Sequence, residues 1–216
     1  MFIKTNRLII RDLERGDEQR LLDVKNDKYV IEYNPTFIKR NAALNDIITF
    51  IDYCQDVKGT GDFSHNISYA IVFGNSNTII GVITVSPLPY LRETQIGWMM
   101  LSEFTGKGYA SEAGSAVSDY ILDTYNYEYL AVTMDTDNPA SFRSAQKSGF
   151  RLFEKRVAYD YYYSSCNAED FKEVNDYFEK NQSQVGSNYY YFRKYNKDSK
   201  TTAKFYGDLT YGGRFS

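Results

Sequence analysis

Apolar residues follow a helical spacing in some parts of the chain and form strand-like runs in others. Residues 5–13 have a β-rich apolar centre and predict a first strand. Residues 17–26, with apolar Leu21, Leu22 and Val24, predict a short helix, and residues 44–57, with apolar side chains at helical spacing, predict a second, amphipathic one. Residues 27–40, which include Pro35, predict a helix-turn segment over an open face of the domain.

Three strands are predicted next, over residues 67–73, 78–85 and 93–101. The polar sequence GNSN at 74–77 predicts a hairpin turn between the first two. We expect Pro87 and Pro89 to end the second strand, because proline cannot donate to a strand ladder. Helix, strand, helix and strand follow over residues 106–125, 129–134, 138–148 and 150–159. This order predicts an α/β sheet that is antiparallel at first and partly parallel around the helix at 106–125.

The end of the chain has a different character, since 11 of the 21 tyrosines fall in residues 159–216. Residues 168–181 predict a helix, and residues 189–195 predict a final strand that pairs back into the sheet. We therefore divide the chain into a main domain at 1–163, a sheet-completing segment at 164–195 and a polar tail at 196–216. The tyrosines suit an interface, either over an acceptor or between the subunits of a homodimer.

Composition excludes several classes of protein. A hydrophobic content of 43% argues against global disorder, and a net charge of −3 argues against a general nucleic-acid binder. Cys54 and Cys166 lie far apart without a metal-ligand spacing, so we expect free thiols. No signal peptide or membrane span is evident. The expected setting is soluble and cytoplasmic.

A glycine-containing turn at the start of the 106–125 helix is the strongest chemical signal. Gly106, Lys107, Gly108, Tyr109 and Ala110 follow an apolar strand and open a helix. Glycines allow close approach of the main chain, and the first N–H groups of a helix attract anions. The segment predicts an anion cradle, with a simple helix cap as the alternative.

Three segments together resemble a known family: TNRLIIRDL, IGWMMLSEFTGKGYASEA and DTDNPASFRSAQKSGF. In this order they are similar to the GCN5-related N-acetyltransferases (GNAT), in the branch of the ribosomal-protein N-terminal enzymes. The resemblance implies the acyl-CoA N-acyltransferase fold, a mixed antiparallel and parallel twisted sheet with a splayed central strand pair flanked by helices. It also implies acetyl transfer from acetyl-CoA to a primary amine, with no metal.

The resemblance implies where acetyl-CoA binds. The diphosphate would lie on the cradle and Ser111, and the pantetheine arm on the main chain of a bulged strand. Asn138 would reach the pantetheine amides, or only cap its helix. The residues expected to bind the co-substrate are Met99, Met100, Leu101, Thr105, Gly106, Lys107, Gly108, Tyr109, Ala110, Ser111, Asn138 and Ser141. Thr105 departs from the family, which usually has Arg or Gln there, so one side-chain donor is missing.

The catalytic residues are less evident. Ser141 matches a family serine that would hydrogen-bond the departing thiolate. Relatives often have a glutamate where this chain has Gln95, so Glu93, two residues earlier, is our candidate base. Some relatives place a tyrosine acid where this chain has Ala145. We interpret Glu112 as structural or as a helix N-terminal charge, and His65 as a surface residue or one near the acceptor.

The acceptor is either a protein N-terminus or a small amine. Acidic side chains at the mouth would favour a small amine, and the candidates are Asp27, Glu32, Asp52, Asp56 and Asp62. A second hypothesis, suggested by Gln95, Ala145 and Thr105, is a CoA-binding or protein-interaction module with little catalysis.

Overall fold

The computed structural model describes residues 1–33, 43–74, 76–88, 93–157 and 188–200. In these residues eight strands form one sheet: β1 (Phe2–Lys4), β2 (Leu8–Asp12), β3 (Ile67–Phe73), β4 (Thr78–Leu88), β5 (Glu93–Met100), β6 (Tyr129–Asp135), β7 (Arg151–Val157) and β8 (Asn188–Tyr195). The order across the sheet is β1-β2-β3-β4-β5-β6-β8-β7. Neighbours are antiparallel except β5 and β6, which are parallel. The predicted mixed α/β sheet is confirmed.

Five α-helices surround this sheet in the described residues: α1 (Glu18–Lys25), α2 (Lys28–Tyr33), α3 (Leu44–Asp56), α4 (Tyr109–Tyr125) and α5 (Pro139–Lys147). Helix α1 packs on β4, β5 and α3, whereas α4 packs on β2, β5, β6 and α5. Both α1 and α4 therefore contact β5, the strand that leads to the glycine turn. A 3₁₀ helix at Ser102–Phe104 joins β5 to α4. None of the described helices is long and apolar enough to cross a membrane.

The structure corrects two predicted boundaries and adds a strand. Helix α4 begins at Tyr109 instead of Gly106, because Gly106 and Gly108 have φ of 74° and 81°, outside the helical region. Strand β4 continues through Pro87, beyond the last β3–β4 pair at Val85. Pro87 pairs on one side only, with β5, so its missing N–H costs no ladder bond on the other side. Strand β1 was not predicted.

The final strand was predicted, and its position in the sheet is informative. Strand β8 lies between β6 and β7 and pairs with both along its length. The predicted helix at 168–181, the end of the 27–40 segment and most of the polar tail lie outside the described residues. The last described strand in the chain, β8, is therefore an inner strand of the sheet and not an edge strand.

Strands β5 and β6 share one bridge pair, Gln95 with Ala131, while β4 and β5 pair continuously from Leu88–Glu93 to Gly81–Met100. The sheet therefore divides between β5 and β6 beyond Gln95, as the predicted splay requires. The bulge expected in β5 is not present in its register with β4. The irregularity in register lies instead between β3 and β4, because Ile71 pairs with Gly81 and Val72 with Ile79, which leaves one extra residue in β4.

Candidate functional site

A cavity of about 360 Å³ opens where β5 and β6 diverge. Residues of both strands line it, from Gln95 to Met100 and from Val132 to Asp135. The start of α4 forms one wall and α5 forms another, while Tyr29 and Tyr33 of α2 border a third side. The fold thus brings together the glycine turn, the divided strands and the asparagine-capped helix, three segments that are separate in the sequence.

The glycine turn presents main-chain donors to this cavity. The first intrahelical bond of α4 runs from Glu112 N to Gly108 O at 3.1 Å, so the N–H groups of Tyr109, Ala110 and Ser111 have no helical partner. These three residues line the cavity, as do Gly106 and Gly108. A row of N–H groups at a helix start, facing a cavity, can hold an anion such as a diphosphate.

Two predicted members of the cradle use their side chains elsewhere. The Thr105 hydroxyl donates to Ser102 O at 2.8 Å and closes the 3₁₀ helix, although Thr105 lines the cavity. The Lys107 ammonium donates to Glu103 O at 2.9 Å and lies 5.4 Å from the Phe104 ring centroid. Lys107 does not line the cavity. The cradle is therefore built mainly from main-chain groups.

The end of β5 supplies main-chain groups on the side away from β4. Leu101 N donates to Ile80 O at 3.0 Å, so this N–H is used, and Leu101 does not line the cavity. Main-chain groups alternate in direction along a strand, which turns the N–H groups of Met100 and Trp98 toward the gap. A Cβ built on Gly81 would lie 2.4 Å from Met99 O, so only glycine permits this close approach of β4 and β5.

Asn138 and Ser141 lie on the opposite wall, at the start of α5. Asn138 Oδ1 accepts a bond from Ser141 N at 3.0 Å, and Pro139 occupies the first helical position. Asn138 is 6% exposed, and both residues line the cavity. The capping role is present, and it uses Oδ1 alone. The amide Nδ2 forms no bond within the described part of the chain, so it is available as a donor.

Comparison with known proteins decides the family. Residues 7–151 match the model of the acetyltransferase (GNAT) domain, a span that contains the cradle, β5, β6 and α5. The chain belongs to the GNAT acetyltransferases. It is accordingly an N-acetyltransferase, as the resemblance of its three segments implied.

Individual proteins are similar to this chain in sequence or in fold. The uncharacterized N-acetyltransferase YnaD of Bacillus subtilis is 27% identical over 180 residues, which cover 78% of this chain and 99% of YnaD. RimL, a ribosomal-protein acetyltransferase solved with coenzyme A, has a TM-score of 0.66 and 15% identity over 90% of this chain and 98% of its own. Spermidine N-acetyltransferase from Vibrio cholerae, solved with CoA and spermine, has a TM-score of 0.63 and 14% identity over 91% of this chain and 100% of its own.

In this acetyltransferase Glu93, the candidate base, does not line the cavity. Its side chain is 5% exposed and accepts hydrogen bonds from the Tyr129 hydroxyl at 2.6 Å, from the Tyr191 hydroxyl and from Arg193. The guanidinium carbon of Arg193 lies 3.9 Å from the Phe153 ring centroid. The structure thus places Glu93 in a buried ion pair that joins β5, β6 and β8, outside the lining of the cavity.

Sequence reasoning missed the carboxylate that does reach the cavity. Asp135, at the end of β6, is the one Asp or Glu among the described residues that line it. The sequence did contain a signal for Asp135, because ligands of α/β sheets often bind beside the carboxyl ends of strands, where this residue lies. Gln95 also lines the cavity, and its Oε1 accepts a bond from the Thr133 hydroxyl at 3.1 Å.

The acidic residues proposed for the acceptor mouth are elsewhere: Asp27, Glu32, Asp52, Asp56 and Asp62 do not line the cavity. The Asp27 carboxylate accepts bonds from Ser102 N at 3.0 Å and from the Ser102 hydroxyl at 2.9 Å. Burial raises its pKa, but these bonds outweigh burial and the net pKa is lowered. His65 contacts Ser64 and Tyr53 outside the cavity. In the described residues no three His, Cys, Asp or Glu side chains form a metal-binding group.

Proposed function

We propose that this enzyme transfers the acetyl group of acetyl-CoA to a primary amine by direct attack of the amine on the thioester. The observation that carries the proposal is the meeting of two features in one cavity. Unpaired N–H groups at the start of α4 suit a diphosphate, and the gap between β5 and β6 suits an extended acyl-pantetheine arm. The CoA complexes of RimL and the spermidine enzyme support this choice of co-substrate.

Each wall of the cavity has a role in this proposal. Tyr109, Ala110 and Ser111 hold the diphosphate through N–H groups, and Asn138 Nδ2 donates to a pantetheine amide. The Met100 N–H faces the gap, where it stabilises the negative charge on the thioester oxygen during attack. The neutral amine nitrogen attacks the carbonyl carbon, the carbon–sulfur bond then breaks, and the proton lost by the new amide nitrogen ends on the CoA sulfur. Ser141 donates a hydrogen bond to the departing thiolate.

The amine must lose its proton before it attacks, and we assign this task to Asp135 instead of Glu93. Asp135 lines the cavity, and its Oδ1 accepts a hydrogen bond from Asp137 N at 2.8 Å, whereas the Glu93 carboxylate lies outside the cavity lining. A carboxylate can accept the ammonium proton directly or through one water molecule. Before this proton transfer, the Asp135 carboxylate also orients the acceptor by attracting the positive charge of its ammonium group.

The charges of the lining favour an acceptor amine with a single positive charge. Among the described residues, one carboxylate, Asp135, and two cations, Arg143 and Lys147, line the cavity. A polyamine carries several positive charges and needs several carboxylates nearby. We therefore propose a peptide α-amino group or a small monoamine as acceptor, and expect polyamines to be poor substrates.

Thiol release from acetyl-CoA, measured with peptides bearing free N-termini, monoamines and spermidine, tests this proposal. An N-terminally acetylated peptide is the matched control. We expect turnover with a monocationic amine and a fall in kcat of about 100-fold or more for Asp135→Asn. Asp137→Asn, at an exposed position two residues further on, should leave kcat unchanged. CoA binding without turnover on any amine would instead favour the binding-module hypothesis.

A further inference from the structure

Arg7, just before β2, contacts the cradle and is not among the residues that line the cavity. Its Nε donates to Glu112 Oε2 at 2.7 Å, and its Nη1 donates to Lys107 O at 2.9 Å. Its main-chain N donates to Glu112 Oε1 at 2.9 Å. The guanidinium carbon is 4.5 Å from the Tyr109 ring centroid. One side chain therefore contacts the glycine turn and the first turn of α4 together.

The bond to Lys107 O controls the direction of a cradle donor. The Lys107 carbonyl and the Gly108 N–H belong to the same planar peptide and point in opposite directions. Holding the oxygen toward Arg7 therefore holds the Gly108 N–H toward the other side, where Gly108 lines the cavity. Gly106 and Gly108 both have positive φ, and glycine permits more backbone conformations than other residues, so the hydrogen bond from Arg7 restricts a turn that is otherwise permissive.

Glu112 places a negative charge at the start of α4, and Arg7 forms an ion pair with it. Its carboxylate lies in the first turns of α4 and also accepts a bond from the Thr5 hydroxyl at 2.6 Å. Burial raises the pKa of Glu112, but the bonds from Thr5 and Arg7 outweigh burial and lower it, so the group is an anion at neutral pH. An uncompensated carboxylate here would compete with an anionic ligand for the positive helix end. The Arg7 guanidinium neutralises it.

We propose that Arg7 is a positioning residue for the acetyl-CoA diphosphate. It directs the Gly108 N–H toward the ligand and cancels the charge of Glu112 at the start of α4. It acts through the loop and not by contact with the reacting atoms. This inference rests on the proposed function, because it takes the diphosphate as the anion in the cradle.

The test compares acetyl-CoA with acetyl-pantetheine, a donor that has the thioester but no diphosphate. For Arg7→Gln we expect the Kd for CoA to rise about tenfold, the factor that corresponds to loss of one charge-assisted hydrogen bond, here the bond from Arg7 to Lys107 O. The kcat/KM with acetyl-CoA should fall by the same factor. The kcat/KM with acetyl-pantetheine should be unchanged. Adding Glu112→Gln to Arg7→Gln should recover part of the CoA affinity, because the uncompensated charge is then removed.

Arg15→Gln is the matched control, since it breaks an arginine–carboxylate pair with Asp52 that is outside the cavity, and it should bind CoA like the wild type. An unchanged Kd in folded Arg7→Gln would overturn the inference. So would an equal loss with both donors, which would indicate general loosening of the fold. If Arg7→Gln does not fold, Arg7→Lys replaces it, because lysine keeps the charge but lacks the planar guanidinium that bonds Glu112 and Lys107 O together. An unchanged Kd for CoA, or an equal loss with both donors, would again overturn the inference. Failure of the wild type to bind CoA would refute the proposed function itself.

Discussion

Replacing Glu93 with glutamine distinguishes a catalytic carboxylate from an anchoring one. The side chains of Glu93 and Arg193 are 5% and 15% exposed, and the guanidinium carbon lies 4.4 Å from the Tyr129 ring centroid. Glutamine keeps the size of the side chain and removes its charge. Arg193 then remains in aromatic surroundings without the carboxylate that compensates it.

The magnitude follows from this burial. Removing one partner of a buried ion pair costs about 3–5 kcal/mol, and we expect the low end because glutamine can still accept a hydrogen bond. A loss of about 3 kcal/mol lowers Tm by roughly 6–12 °C for a chain of this size. Because Glu93 lies outside the cavity, kcat at a temperature where the variant is folded should change by no more than a few-fold.

Thermal unfolding and initial rates on the same preparations provide the assay. Asp52→Asn is the control, since it removes a carboxylate from the Arg15–Asp52 pair, whose side chains are 55% and 50% exposed, and exposed pairs contribute little. A Glu93→Gln enzyme that is as stable as the wild type and loses about 100-fold in kcat would refute the anchoring role. That result would restore Glu93 as the general base.

Three further predictions concern the cradle and its neighbours. Gly108→Asp should abolish CoA binding measured by calorimetry, because it adds a negative charge and strains a residue with φ of 81°; Gly59→Asp, at φ of 74° in a loop outside the cavity, should bind normally. Asn138→Ala should lower the free energy of unfolding by about 1 kcal/mol through loss of the cap and raise KM for acetyl-CoA; an unchanged KM would contradict the pantetheine contact. Because folding lowers the pKa of Glu112, its carboxylate adds to the free energy of unfolding. This contribution is complete above the ordinary glutamate pKa of about 4.3 and is lost as pH falls through the lowered pKa. Urea unfolding of wild type and Glu112→Gln should therefore converge at acid pH, and a gap independent of pH would contradict this.

The sequence by itself determined the features that depend on neighbouring residues. Glycines 106 and 108 predicted the turn before α4, and Asn138 followed by Pro139 predicted the start of α5. These signals are local, because backbone conformation and capping involve residues within a few positions of one another. The same locality explains why the predicted bounds of α1, α3 and β3 agree closely with the structure.

The tertiary structure decided the roles of side chains whose partners are distant in the chain. Glu93 is paired with Arg193, one hundred positions later, which reaches it because β8 inserts between β6 and β7. Asp135 came to the cavity because β6 diverges from β5, and Arg7 came to the cradle because β2 lies beside α4. Strand order and divergence arise from packing of the whole sheet, and no local pattern specifies them. The glycine turn could thus be recognised from the sequence, whereas the charges that surround it could not.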